Sequence, residues 1–164
     1  MMKEKNETVN RQYKDSPFRR LFDEKEALLS LYNAVNGTNY DDVKELKITT
    51  LENVIYLRMK NDLSFIVNFS LNLYEHQSSY SGNMAVRFLF YFDEILKNEL
   101  GEQTLYTSRR IRFPSPVFVV FYNGVDKRPE RWTEKLSDSF EQKADSSKIE
   151  LEVLVLNVNY GHNK

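Results

Sequence analysis

Apolar residues recur at helical spacing in three parts of the chain. Ser16-Pro17 supplies an N-cap and a first helical position, and it predicts a helix start there. A second helix is predicted from Glu24 to Asn36, where Gly37 ends it. The longest helix is predicted from Met84 to Leu100, closed by Gly101.

Between these helices, short stretches carry the β-branched and apolar residues that are typical of strands. The predicted strands are Leu46–Thr50, Val54–Leu57, the two halves of Lys60–Gln77, Val117–Tyr122 and Leu151–Val158. Lys127–Ser147 is polar and predicts only a short helix near Ser139. The order of elements predicts an α/β fold, with a central mixed sheet of about five strands flanked by helices.

The segment from Lys60 to Gln77 predicts a β-hairpin that turns at Asn68-Phe69. Asp62 and Glu75 lie equally far from that turn, so we expect them to oppose each other on one face. Strand alternation places Gln77 on the same face. The same alternation points the His76 side chain to the opposite face.

Two opposed carboxylates repel each other unless a cation lies between them. We therefore predict a Mg²⁺ site, with Mn²⁺ as an alternative ion, held by Asp62, Glu75 and the backbone carbonyl of His76. Water activated by the ion would attack a phosphodiester, and Gln77 would orient that water. Polar residues on an exposed strand face also occur without any function, so spacing alone leaves this site open.

Composition indicates one globular domain: residues 1–13 are predicted to be flexible and residues 14–164 to fold. The chain has 164 residues, 41% of them hydrophobic, and it has no cysteine. Disulfides, zinc–thiolate sites and thiol catalysis are therefore excluded. The N-terminus has no apolar signal-peptide core, and the longest apolar-rich run, Phe88–Phe92, is too short for a bilayer. We expect a cytoplasmic protein without membrane contact.

Charge is distributed unevenly along the chain. Residues 105–131 contain six cations and two acids, a net +4 within a chain of net −1. This strip, which includes Arg109 and Arg110, is suited to a phosphate backbone, although a solvated surface loop has the same composition. Arg87, early in the long helix, is placed to contact a scissile phosphate or to pair with a nearby acid. Lys60 is a weaker candidate for the phosphate contact.

Several motifs along the chain resemble those of the recombination-promoting nuclease (Rpn) family, transposase-like members of the PD-(D/E)XK nuclease superfamily. The similar segments are Lys14–Arg19, Leu31–Ala34, Asn36–Thr38, Lys60–Phe65, Leu73–Ser78, Asn83-Met84, Arg87, Pro114–Pro116, Phe118–Gly124, Leu136–Asp138 and Asn159–Asn163. The resemblance extends over nearly the whole chain from Lys14.

The resemblance implies a restriction-endonuclease-like fold and a Mg²⁺-dependent DNA endonuclease linked to recombination and mobile elements. Asp62 and Glu75 would be its two metal-binding acids. Gln77 stands where the superfamily motif has lysine, as is usual in this family. Nucleases that cut both strands often pair their sites, which leaves a homodimer open. Family members commonly continue beyond Asn163, so the alternative is a catalytically silent short form that acts as a DNA-binding or dimerising regulator.

Overall fold

A computed structural model describes residues 17–49, 62–101, 106–142 and 147–162 of the chain. Four of the predicted features lie outside these residues. They are the flexible segment at residues 1–13, the Ser16 cap, the strand Val54–Leu57 and Lys60.

Three α-helices form where the apolar spacing predicts them. They are α1 (Pro17–Leu21), α2 (Lys25–Asn36) and α3 (Met84–Leu100). α2 ends because Gly37 adopts the left-handed conformation, with φ of 64°, and its N–H bonds to the Asn33 carbonyl. α3 has the predicted bounds, and it ends at Gly101.

The strands described form one mixed sheet of six, in the order β1-β2-β3-β4-β6-β5. Their bounds are β1 Lys47–Ile48, β2 Leu63–Val67, β3 Ser70–Gln77, β4 Ser115–Tyr122, β5 Arg131–Lys135 and β6 Glu152–Asn157. β3, β4 and β6 run parallel, whereas β1–β2, β2–β3 and β5–β6 are antiparallel pairs. α3 joins the parallel strands β3 and β4, as a crossover helix does in a β-α-β unit. The predicted mixed α/β domain is confirmed.

Two strand predictions need correction. β1 covers only Lys47–Ile48 of the predicted Leu46–Thr50. Leu46 is extended, but its N–H closes the preceding 3₁₀ turn by bonding to the Val43 carbonyl, and Thr50 lies outside the described residues. β5 lies inside Lys127–Ser147, where no strand was predicted. It is an edge strand with alternating exposed and half-buried residues, so its sequence lacks the apolar content of the inner strands. A 3₁₀ helix at Leu136–Ser139 matches the short helix predicted near Ser139.

Helices cover both faces of the sheet, and each face has its own core. α3 buries Phe88 and Ile95 against β3, β4 and β6 on one face. α2 buries Leu28 and Tyr32 against the other face, where Phe65 of β2 is fully buried. Alternate residues of β3 therefore enter different cores, and both faces contribute to stability.

The β2–β3 hairpin turns at the predicted position. Asn68 and Phe69 have φ of 46° and 61°. Two-residue hairpin loops of this kind match the twist of the strands, but they require positive φ at both positions. Val67 pairs with Ser70 directly beside the turn, and this fixes the register of the hairpin.

The segment after β4 folds back onto the last residue of that strand. The Tyr122 hydroxyl accepts a hydrogen bond from the Asp126 N–H (3.1 Å) and donates one to the Asp126 carbonyl (3.2 Å). Gly124 is buried beside this hydroxyl, and a Cβ added to it would lie 2.5 Å from the oxygen. The close approach requires glycine at this position.

Among the residues described, no helix combines the length and the apolar character needed to cross a bilayer.

Candidate functional site

Asp62 and Glu75 lie together at the open end of the β2–β3 hairpin. The register pairs Leu63 with Tyr74, so the preceding residue, Asp62, is opposite Glu75, as the spacing predicts. The Glu75 Oε1 accepts a hydrogen bond from the Asp62 N–H (2.8 Å). The Asp62 Oδ2 in turn accepts one from the His76 N–H (2.9 Å). The Glu75 carboxylate is thereby fixed to the Asp62 backbone and the Asp62 carboxylate to the His76 backbone, on the α3 face of the sheet.

Arg87 of α3 forms an ion pair with Glu75. Its Nη2 donates to the Glu75 Oε2 at 3.0 Å, and Glu75 is only 3% exposed. The same guanidinium donates to the Tyr91 hydroxyl, one helical turn further on, from Nη2 (2.9 Å) and from Nε (3.3 Å). Of the two roles weighed for Arg87, the structure contains the ion pair with a nearby acid.

The position of Glu75 makes its charged form unfavourable. Burial, followed by the nearby Asp62 carboxylate, raises the pKa of Glu75 from 4.5 to about 8. The Arg87 guanidinium and the Asp62 N–H act in the opposite direction without restoring the ordinary pKa. Burial, with Glu75 next in effect, also raises the pKa of Tyr91. The Tyr91 hydroxyl therefore stays neutral and can accept hydrogen bonds from Arg87.

Gln77 and His76 lie on opposite faces of β3, as strand alternation predicts. Gln77 is buried on the face of Glu75. Its backbone carbonyl accepts a hydrogen bond from the Asn123 N–H (3.0 Å). The His76 ring stacks on Phe18 of α1, with ring centroids 5.5 Å apart. The N–H and C=O of one strand residue point to the same side. Because the His76 N–H bonds to Asp62, we expect the His76 carbonyl to face Asp62 as well.

The chemistry of this group of ligands fits a hard divalent cation. Mg²⁺ needs only one or two carboxylates and completes its shell with water. Asp62 and Glu75 supply two carboxylates on one face. Burial and then the Asp62 charge raise the pKa of Glu75, and a cation between the two carboxylates would offset the repulsion by Asp62. The part of the chain described contains no cluster of three or more His, Cys, Asp or Glu side chains, so further ligands would be carbonyls, amides or water. Arg87 already neutralises Glu75, and an ion would share that carboxylate with it.

The predicted phosphate-binding cations are not all close to this site. Lys60 lies outside the described residues. Arg109 and Arg110 are exposed, in the connection between α3 and β4. β4 starts beside Ser70, at the other end of β3 from Glu75. Of the four cations proposed from the sequence, the structure brings Arg87 to the carboxylate pair.

Tyr91 is the residue at this site that the sequence did not indicate. Its place in the apolar stripe of α3 predicts a core residue, and it is indeed buried. Its position four residues after Arg87 was the available signal, because side chains at i and i+4 meet on a helix.

Comparisons of the chain with protein-family models, with curated proteins and with solved structures found no match. The resemblance to the Rpn family therefore stays a prediction that depends on the motif residues.

Proposed function

We propose that this chain is a metal-dependent DNA endonuclease of the Rpn type, with a restriction-endonuclease-like arrangement of sheet and helices. The observation that carries the proposal is the opposed pair of a half-buried Asp62 and a buried Glu75. A carboxylate that is 3% exposed beside a second carboxylate is costly for a fold. Strongly perturbed carboxyl groups of this kind cluster at functional sites.

The proposed roles follow from the contacts of each side chain. Asp62 and Glu75 would hold Mg²⁺ or Mn²⁺ together with the His76 carbonyl. When bound, such an ion supplies Lewis-acid activation of water and of the phosphodiester. Arg87 keeps the Glu75 carboxylate in one orientation through its bond to Oε2, and Tyr91 holds Arg87 in place. Gln77, on the same face, would orient the attacking water through its amide.

Plasmid nicking in the presence of Mg²⁺ or Mn²⁺ tests this proposal. Asp62→Asn and Glu75→Gln each remove a ligand charge while keeping the side-chain shape. We expect each to lower the rate at least about a hundredfold, because several kcal/mol of transition-state stabilisation depends on the ion. Asp93→Asn is the matched control, since Asp93 is an exposed acid on α3 that pairs with Lys97. Nicking that survives both site substitutions would contradict the proposal.

One observation favours the alternative, a catalytically silent DNA-binding or dimerising regulator. Glu75 already has an ion-pair partner in Arg87, so its carboxylate has a counter-charge within the chain when no metal is bound. This alternative predicts DNA binding without cleavage in either metal, unchanged by Asp62→Asn or Glu75→Gln. The nicking assay, run beside a binding assay on the same variants, separates the two functions.

A further inference from the structure

The fold divides the basic strip of residues 105–131 among three places. Arg109, Arg110 and Arg112 precede β4. Arg131, in β5, lines a cavity on the α1 and α2 face, together with Phe18 and His76. Lys127 and Arg128 instead follow β4, whose last residue, Tyr122, pairs with Gln77. Of the cations that follow this strand end, Lys127 and Arg128 precede β5, whereas Arg131 lines the cavity on the α1 and α2 face.

Arg128 is held against an aromatic ring. Its guanidinium carbon lies 3.8 Å from the centroid of the Tyr80 ring. Tyr80 is 38% exposed, in the connection between β3 and α3. A guanidinium over a ring face keeps its N–H donors at its edge, in the planar arrangement that suits phosphate oxygens. The stack therefore orients a cation at the surface without using its donors.

The support beneath this stack belongs to the α3 side of the sheet. Tyr80 lies beside the Glu134 carboxylate, whose Oε1 accepts a hydrogen bond from the Trp132 Nε1 (3.2 Å). Trp132 packs against the core under α3 and against the ring of Tyr122. Asp62, Glu75 and Gln77 occupy the same face, so the stack and the carboxylate pair are presented on one side of the molecule.

The separation of the two features suits a nucleic-acid strand. Glu134, beside the stack, is in β5, which lies three strand spacings from the β3 strand of Glu75, or about 14 Å at about 4.8 Å each. A duplex advances about 3.4 Å per nucleotide, so this distance corresponds to about four nucleotides. A strand cut at the carboxylate pair would pass the Arg128 stack within half a helical turn.

We propose that Arg128, stacked on Tyr80, and the neighbouring Lys127 form a binding site for backbone phosphates of DNA on the α3 face. This site rests on the proposed nuclease function and extends it. It replaces Arg109 and Arg110 as the main contact of the basic strip with the substrate.

Fluorescence anisotropy with a 20-base-pair duplex tests this assignment, in EDTA to prevent cleavage and at several salt concentrations. The variant Lys127→Gln/Arg128→Gln removes two cations from the site. The variant Arg109→Gln/Arg110→Gln makes the same charge change at the other end of β4 and is the matched control. We expect the first pair to weaken binding on the order of tenfold and to make the slope of log K against log salt shallower by about 2. We expect the control to change either quantity much less.

Two further variants separate phosphate binding from support of the fold. Arg128→Lys keeps the charge and is expected to retain the salt slope. Tyr80→Leu removes the ring and keeps both cations, so binding is expected to weaken without a change in slope. Thermal unfolding of each variant shows whether the fold is intact. An intact Lys127→Gln/Arg128→Gln variant that binds like the wild type would overturn the assignment.

The control arm distinguishes failure of the site from failure of the proposed function. If the wild type binds DNA and the Arg109→Gln/Arg110→Gln pair is the more damaging, the assignment to Arg128 is wrong and the nuclease proposal stands. If the wild type neither binds DNA in this assay nor nicks plasmid DNA with Mg²⁺ or Mn²⁺, the nuclease proposal fails, and the site fails with it.

Discussion

Replacing Glu75 with Gln is expected to flatten the pH dependence of folding stability in metal-free solution. The pKa of Glu75 is raised from 4.5 to about 8 in the folded protein, mainly by burial and then by Asp62. The folded state therefore binds a proton more tightly than the unfolded chain does. The stability contributed by this proton is complete below pH 4.5, and it is lost as the pH rises through about 8.

The magnitude follows from the size of the pKa change. Each pKa unit corresponds to about 1.4 kcal/mol, so full deprotonation of Glu75 destabilises the fold by about 5 kcal/mol. Solvent screening reduces this little, because the side chain is 4% exposed. Glu75→Gln loses one acceptor facing Arg87, a cost of about 1 kcal/mol that does not vary with pH. At pH 9 we therefore expect the variant to be about 4 kcal/mol more stable than the wild type.

Urea unfolding between pH 5 and pH 9, with EDTA present, measures this difference. The free energy of unfolding of the wild type should fall across this range relative to that of Glu75→Gln. The gap should widen most steeply at about pH 6, between the unfolded and folded pKa values, and level off above about pH 8. Asp93→Asn serves as the control, since this exposed acid on α3 should leave the wild-type slope unchanged. Parallel curves for the wild type and Glu75→Gln would refute the reasoning, because they would mean that Glu75 titrates alike in the folded and unfolded states.

Three further predictions concern the fold. Gly124→Ala places a Cβ 2.5 Å from a tyrosine hydroxyl and should destabilise the fold by about 1–3 kcal/mol in urea unfolding. Gly82→Ala, whose Cβ would have its nearest contact at 3.4 Å, should be near neutral in the same measurement. Phe69→Gly should stabilise by about 1 kcal/mol, because φ is 61° at this 86% exposed turn position, and Phe69→Ala should bring no comparable gain. Phe88→Ala should lower the free energy of unfolding by about 3–5 kcal/mol, because it leaves a cavity under α3. Phe90→Ala should lower it by at most about 0.5 kcal/mol, because Phe90 is 45% exposed. Equal losses at Phe88 and Phe90 would contradict the packing of α3.

The sequence predicted the elements whose determinants are local. α3 has the predicted bounds because its apolar spacing and the glycine that follows it, Gly101, are both local in the sequence. The opposition of Asp62 and Glu75 followed from counting outward from the turn, since hairpin register is fixed over a short distance. β5 was missed because an edge strand needs few apolar residues, and its single large one, Trp132, resembled a loop residue.

Contacts between distant segments could not be predicted in the same way. The ion pair of Arg87 with Glu75 depends on where α3 crosses β3, and the sequence offered it only as one of two roles. The stack of Arg128 on Tyr80 joins residues 48 positions apart, through a strand order that no local pattern encodes. The cations of the basic strip are close together in the sequence, but they lie in three separate places in the folded protein.

The burial of Glu75 has a consequence for how this chain can evolve. At neutral pH this carboxyl group opposes folding, so a neutral residue of similar shape would make a more stable protein. In a lineage that had no use for the site, a single substitution of this glutamate would therefore increase stability, and drift would remove the glutamate. A glutamate at this position is thus expected to persist only under purifying selection for activity or binding, and its loss should be among the first marks of a decaying copy.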